Sequence, residues 1–101
     1  MKKFRLSPDA RQDIRDIWAY IARDSIDAAA RVREEIRDVC RRLAEHPQIG
    51  HQREDLTTRK DVLFWPVYSY LVVYRPGIRP LEVLRVLHGR RDVKRVLDES
   101  E

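Results

Sequence analysis

Two apolar runs joined by a tight turn dominate the last third of the chain. Residues 62–92 contain two stretches rich in β-branched and aromatic side chains, on either side of Pro76-Gly77. Such runs, separated by turn-forming residues, indicate a β-hairpin. The second run ends in a polar, mostly cationic cluster, His88-Gly89-Arg90-Arg91-Asp92. Any fold of this chain must therefore accommodate a strongly β-forming hairpin with a cationic exit.

Two amphipathic helices precede this hairpin. Ser7 and the proline after it form a helix start, because serine caps a free amide and proline fits the first helical position. Residues 24–27 interrupt the apolar pattern, and Asp27 is the predicted cap of the second helix. His46-Pro47 ends that helix, since a residue before proline disfavours the α region. The short break predicts a helical hairpin.

The strands complete a single α+β domain over residues 1–101. Phe4 to Leu6 alternate as a short first strand, and further strands are predicted at about 62–65, 68–75 and 81–88, with residues 47–61 as a polar loop. Pro66 indicates a bulge or a sheet edge. The predicted architecture is β-α-α-β-β-β, with the helical hairpin packed on one face of a small antiparallel sheet. A short C-terminal helix follows Gly89.

Strict alternation in the last strand predicts which side chains share a face. Leu81, Val83, Arg85 and Leu87 would point one way, and Glu82, Leu84, Val86 and His88 the other. Arg85 then lies among apolar neighbours, where we expect it to pair with an acid such as Asp61.

The positive charge of the chain is concentrated in the hairpin and its exit. The net charge is +4, and residues 59–95 carry nine basic and three acidic side chains. Such a field suits a nucleic acid, an acidic protein or an anionic pocket, although simple solubility would also account for it. The single cysteine, Cys40, excludes an internal disulfide. A signal peptide, a membrane-spanning run, metal-ligand spacing and cofactor motifs are not evident, so we expect a cytoplasmic protein without metal or cofactor.

The ordered motifs resemble the RelE/ParE toxins of bacterial type II toxin–antitoxin systems. The resemblance rests on the Ser7-Pro8 helix start with Ile17-Trp18, on His46-Pro47 with Gly50, on residues 65–75 and on residues 81–92. It implies a toxin neutralised by a cognate antitoxin. RelE-type members cut messenger RNA on the ribosome, whereas ParE-type members poison DNA gyrase, so the resemblance leaves two functions to separate.

Details of the sequence favour the ParE-like branch. RelE-type nucleases usually carry an arginine where this chain has Leu71, and their C-terminal tails usually offer a tyrosine or extra basic residues. The tail here lacks tyrosine and ends in acidic residues. We therefore expect a protein-binding inhibitor of gyrase rather than an enzyme. One alternative is a metal-independent endoribonuclease, with His88, Arg85 and Arg91 as its catalytic residues and Arg90, Tyr70 and Glu54 as further candidates. The other is a non-toxic binding member of the family.

Two separate binding surfaces are predicted. The cationic exit would contact the target through Arg85, His88, Arg90, Arg91, Lys94 and Arg95. The alternative for His88 is a hydrogen bond to the backbone of the turn that follows it. The resemblance implies a ParD-like antitoxin, a ribbon-helix-helix protein whose C-terminal tail binds the toxin by helix-in-groove contact or strand addition. Its candidate contacts on the helical hairpin and sheet edge are Trp18, Tyr20, Leu43 and Trp65, with a core position as the preferred interpretation of Leu43.

Overall fold

The computed structural model describes residues 3–89 and 93–98 and confirms the α+β class. The elements, in chain order, are β1 (Phe4–Leu6), α1 (Pro8–Ala22), α2 (Ile26–Glu45), a 3-10 turn (Pro47–Ile49), β2 (Leu63–Val67), β3 (Tyr70–Arg75), β4 (Leu81–His88) and α3 (Val93–Asp98). None of the helices in these ranges is long and apolar enough to cross a membrane.

The four strands form one sheet in the order β1-β4-β3-β2. The β2–β3 and β3–β4 pairs are antiparallel, but β1 runs parallel to β4, so the sheet is mixed rather than wholly antiparallel. β2 extends to Val67 and β3 begins at Tyr70, because Tyr68 and Ser69 form the turn between them. Pro66 lies within β2, which is an edge strand, as a residue without an N–H group requires.

Serine side chains start both long helices. The Ser7 Oγ accepts a hydrogen bond from the Ala10 N–H at 2.9 Å, and Pro8 occupies the first helical position. The Ser25 Oγ accepts from the Ala28 N–H at 3.0 Å, so Ser25 and not Asp27 caps α2. Asp27 lies in the first turn instead, where a negative charge still favours the helix dipole. α2 ends at Glu45, as His46-Pro47 predicted.

Both faces of the sheet are covered. α1 and α2 pack on one face, around a core that includes Ile14, Ile36, Leu43, Val72 and Val83. The opposite face carries a second cluster, in which α3 and the loop before β2 cover the sheet; its buried members are Leu56, Val62, Phe64, Leu71, Val73, Val93 and Leu97.

The loop before β2 is tied down at both ends. Tyr74 is completely buried, and its hydroxyl donates to the Pro47 carbonyl at 2.7 Å and accepts from the Gly50 N–H at 2.9 Å. At the other end, the buried Thr57 donates its hydroxyl hydrogen bond to Asp98 of α3. The segment that the sequence indicated only as a polar loop is therefore part of the packed structure.

A bulge in β4 changes the predicted alternation. The pairing of β3 with β4 shifts between Val73 and Tyr74, which leaves Leu84 as an extra residue. Val83 and Val86 consequently both face the helices, although strict alternation had put them on opposite faces. The Ser7 hydroxyl donates to the Leu84 carbonyl at 2.7 Å, so the start of α1 satisfies a backbone group that the bulge displaces.

Candidate functional site

Arg85 is held by α1 next to the bulge. Its Nε and Nη2 donate to the two carboxylate oxygens of Asp13 at 2.8 and 2.9 Å, and the Val86 N–H donates to the same carboxylate at 2.9 Å. The partner of Arg85 is thus Asp13 and not the expected Asp61. The Asp61 carboxylate instead forms an ion pair with the Arg59 guanidinium at 2.8 Å. The Asp13 carboxylate raises the pKa of Arg85, chiefly through these hydrogen bonds. Through its Nε and Nη2, the Arg85 guanidinium links β4 to the Asp13 carboxylate of α1.

His88 lies at the exposed end of β4 and packs on Tyr70. Their ring centroids are 5.1 Å apart and the rings are tilted by 53°. Together with Asp16, Ile17 and Tyr20 of α1, these two side chains line an open groove of about 420 Å³. Burial, with a smaller effect of Tyr20, raises the pKa of the Tyr70 hydroxyl. Aromatic side chains dominate the groove, and its titratable lining residues are Asp16, Tyr20, Tyr70 and His88.

The other residues predicted at the cationic exit lie in different local environments. Lys94 and Arg95 are exposed on α3, and Lys94 contacts Asp98 at 3.2 Å. Arg90 and Arg91 lie outside the described residues. Gly89 has a φ of +73°, a left-handed backbone conformation that glycine adopts without steric cost and that turns the chain at the end of β4.

The further nuclease candidates lie in different parts of the molecule. Glu54 is exposed in the loop before β2 and contacts Lys60 at 3.4 Å. Leu71, at the position where the nuclease branch carries an arginine, is buried among Phe64, Val73 and the α3 residue Leu97. Among the nuclease candidates that the structure describes, Tyr70 is the one in ring contact with His88.

A second depression lies between the two long helices, beside the open edge of β1. Its volume is about 360 Å³. Leu6, Ile14 and Trp18 are its apolar lining residues, and its cationic ones are Arg11, Arg15, Arg33 and Arg37. We call it the arginine cleft. Among the described residues, none of these four arginines forms an ion pair with a carboxylate.

Trp18 is the aromatic centre of the arginine cleft. The Arg33 guanidinium lies 5.8 Å from its ring centroid, within the range of a cation–π contact. The indole Nε1–H is buried and has no hydrogen-bond acceptor within the part of the chain that the structure describes. A buried donor without an acceptor is costly, so the site would gain from an acceptor supplied by a partner.

The four predicted antitoxin contacts do not form one surface. Trp18 lines the arginine cleft, whereas Tyr20 lies in the groove with Tyr70 and His88, on another face of α1. Trp65 lies within the edge strand β2, and its ring stacks on that of His51 with centroids 5.7 Å apart. Leu43 is completely buried in the core, so it offers no surface to a partner.

Three features of the structure were not predicted from the sequence. The arginine cleft had a signal, because Arg11 with Arg15 and Arg33 with Arg37 each lie four residues apart, on one face of their helix. The contact between Asp13 and the bulge had no sequence signal, because no local pattern of residues indicates an extra residue in a strand. Tyr68, at the turn between β2 and β3, is exposed and has a φ of +54°, which a tyrosine seldom adopts.

Comparison with known proteins gives one consistent family. The family model for the ParE toxin of the type II toxin–antitoxin system parDE matches residues 4–93. Toxin ParE1 of Caulobacter vibrioides is 38% identical over 89 residues, covering 87% of this chain and 90% of the relative. The putative toxin Y4kP of Sinorhizobium fredii is 35% identical over 96 residues, covering 95% and 97%.

A solved structure shares the fold. A chain of the chromosomal ParDE system from P. aeruginosa superposes with a TM-score of 0.71 at 15% identity, covering 88% of this chain and 97% of that one. At this identity the likeness concerns the arrangement of helices and strands alone.

Proposed function

Because the chain belongs to the ParE family of toxins of type II toxin–antitoxin systems, we propose that it inhibits DNA gyrase until a ParD-like antitoxin binds it. The observation that carries the choice of target is Leu71. This side chain is buried in the cluster that includes Val93 and Leu97 of α3, at the position where RelE-type nucleases usually carry an arginine.

The state of Arg85 also favours inhibition over RNA cleavage. Metal-independent cleavage needs a general base, a general acid and cations that stabilise charge on the phosphate. Arg85 is the candidate cation in the strand that ends at His88, but its Nε and Nη2 already donate to the Asp13 carboxylate. The pair serves to hold β4 against α1 rather than to meet a phosphate.

Purified toxin and gyrase test the proposed target. We expect the wild-type toxin to block supercoiling of relaxed plasmid and to increase gyrase-linked DNA cleavage. Arg90→Ala with Arg91→Ala should weaken both effects while antitoxin binding is kept, because these residues belong to the cationic exit. Unchanged gyrase activity at saturating toxin would contradict the proposal. Cut transcripts in primer extension on translated messages would point to the nuclease alternative.

The arginine cleft supports the antitoxin part of the proposal. Its apolar centre and cationic rim complement an amphipathic segment with acidic side chains. The adjoining edge of β1 has no neighbouring strand within the described residues. The backbone groups of Lys3 and Ser7 form hydrogen bonds with β4. Because backbone groups alternate in direction along a strand, those of Phe4 and Leu6 point towards this open edge. An added strand and a docked helix would thus lie side by side.

Charge reversal tests the antitoxin surface. Arg33→Glu should weaken binding of the protein encoded by the neighbouring antitoxin gene on the order of 10- to 100-fold, because it places an acid against acidic groups. Arg31→Glu is the matched control, being an exposed arginine of the same helix that does not line the cleft. Calorimetry at two salt concentrations measures both. Equal effects of the two variants would show that net charge alone, and not the cleft, governs binding.

A further inference from the structure

Trp18 carries a polar group that the described part of the fold leaves unsatisfied. Among the side-chain nitrogens and oxygens of residues 3–89 and 93–98, its indole Nε1 is the single buried atom without a hydrogen-bond partner. Buried donors in native proteins are nearly always paired, so an exception requires a physical reason. An indole nitrogen can only donate, and it therefore needs an oxygen acceptor that this part of the chain does not supply.

The charges around Trp18 indicate which kind of acceptor is missing. Arg11 and Arg15 lie four residues apart on α1, and both line the cleft. Arg33 and Arg37 repeat this spacing on α2. Like charges at this spacing destabilise a helix, and within the described residues no carboxylate pairs with any of the four guanidiniums. The indole donor and the arginines would thus both gain from an anionic oxygen acceptor.

A carboxylate fits both kinds of donor. It has two oxygens, so it can accept from an indole N–H and from a guanidinium at the same time. The Arg33 guanidinium lies 5.8 Å from the centroid of the Trp18 ring, near enough to share such an acceptor. Because Arg33 is exposed on α2, its side chain can leave the ring and make room for an incoming carboxylate. A neutral carbonyl would satisfy the indole alone and leave the arginines without an anion.

We propose that Trp18 and Arg33 form a receptor for one acidic side chain of the antitoxin. The indole Nε1–H donates to one carboxylate oxygen, and the guanidinium donates to the other. This inference rests on the proposed function, since it assumes that an antitoxin occupies the arginine cleft. It makes Trp18 a specificity-determining residue, whose N–H group is costly in the free toxin and favourable in the complex.

Removal of the indole donor should therefore act differently on folding and on binding. Benzothienylalanine has nearly the shape of tryptophan, with sulfur in place of the N–H group. Incorporated in place of Trp18 alone, it should leave the melting temperature of the free toxin equal or higher, because no hydrogen bond within the chain is lost. The Kd for the protein encoded by the neighbouring antitoxin gene should rise about tenfold to a hundredfold, the effect of losing a hydrogen bond to a charged group. Trp18→Phe, which also lacks the donor, should weaken binding at least as much.

The second tryptophan of the chain, Trp65, provides the matched control. Its ring stacks on His51 and does not line the arginine cleft. The same analogue in place of Trp65 should leave the Kd unchanged, because the analogue keeps the ring and removes only an N–H group outside the cleft. In NMR spectra, the Trp18 indole proton should move downfield when antitoxin binds, as expected of a donor that gains an acceptor; Trp18→Phe assigns this signal.

Substitutions in the antitoxin identify the carboxylate. Each acidic residue of its toxin-binding segment is replaced in turn by the corresponding amide. One of these changes should raise the Kd for wild-type toxin about tenfold or more. The same change should have a much smaller effect on toxin with the analogue in place of Trp18, because both changes remove the same hydrogen bond.

The inference is wrong if the analogue in place of Trp18 leaves antitoxin affinity unchanged, or if the analogue in place of Trp65 causes an equal loss. It is also wrong if the analogue in place of Trp18 lowers the melting temperature, since the donor would then already have a partner within the chain. These results leave the proposed antitoxin site standing as long as Arg33→Glu weakens binding more than Arg31→Glu. If wild-type toxin does not bind the antitoxin, the proposed function fails and the inference fails with it.

Discussion

Asp13 is the residue whose loss should most disturb the link between α1 and the sheet. Its carboxylate accepts three hydrogen bonds, two from Arg85 and one from the Val86 N–H beside the bulge. Only 12% of the Asp13 side chain is exposed, against 26% for Arg85. Asp13→Ala would leave a partly buried guanidinium without its counter-charge and a backbone N–H without an acceptor.

The cost of Asp13→Ala follows from this burial. Removing one partner of a fully buried ion pair costs about 3–5 kcal/mol. Since Arg85 is one-quarter exposed and water screens it, we expect a loss of about 2–3 kcal/mol. For a domain of this size, that corresponds to a fall in Tm of roughly 10–20 °C.

Urea denaturation followed by circular dichroism measures the loss. Asp16→Ala is the matched control, because Asp16 is an exposed aspartate of the same helix that accepts only from Gln12 among the hydrogen bonds of the described residues; it should cost less than about 0.5 kcal/mol. The double variant Asp13→Ala with Arg85→Met should cost less than the sum of the two single changes, by about 1 kcal/mol or more. If Asp13→Ala were no more costly than Asp16→Ala, the pair would contribute nothing to stability and our account of β4 would be wrong.

Three other predictions concern the core and the ends of the loop before β2. Gly50→Ala should destabilise the fold by about 1–3 kcal/mol, because a Cβ there would lie 2.3 Å from the Tyr74 hydroxyl oxygen, whereas Gly77→Ala meets open space and should be nearly neutral; thermal unfolding compares them. Burial raises the pKa of the Cys40 thiol to about 12, so a thiol reagent at pH 8 should label the folded protein far more slowly than the urea-unfolded chain. The hydrogen bond from the Thr57 hydroxyl, followed by the Lys94 and Thr58 contacts, lowers the pKa of Asp98. A carboxyl with a lowered pKa in the folded state contributes stability above its ordinary pKa, and this stability is lost as the pH falls through the folded value. The docking of α3 should therefore weaken below a pH of about 4. NMR methyl shifts of Leu97 should report this pH dependence in the wild type and lose it in Asp98→Asn.

The element order was predictable because it depends on local signals. Each of these signals involves only residues that are close together in the chain. They are the helix start at Ser7 and the proline after it, the break at residues 24–27 and the β-branched runs. The choice of Asp27 as a cap failed because Ser25 and Asp27 are both good caps, and only the backbone direction decides between them.

The candidate sites were less predictable, because they depend on contacts between distant residues. The pairing of Asp13 with Arg85 spans 72 positions and arises from a bulge that no pattern of apolar residues shows. Trp18 lines the arginine cleft with residues of α1, α2 and β1, and its role as an antitoxin contact stays a prediction. Tyr68 falls within the strand predicted at 68–75, and no local pattern indicates its exposure or its positive φ.

The parallel pairing of β1 with β4 also sets the order in which the molecule can assemble during its own synthesis. The contact between Arg5 and Glu82 joins residues 77 positions apart, so at about 5–20 residues per second the first strand waits about 4–15 s for its partner. The helical hairpin can form meanwhile, since its contacts are local. The groove at His88 and the β1 edge beside the arginine cleft are complete only after β4 has been made. A nascent chain that stops short of β4 therefore presents neither the complete groove at His88 nor a β1 edge that is fixed in the sheet beside the arginine cleft.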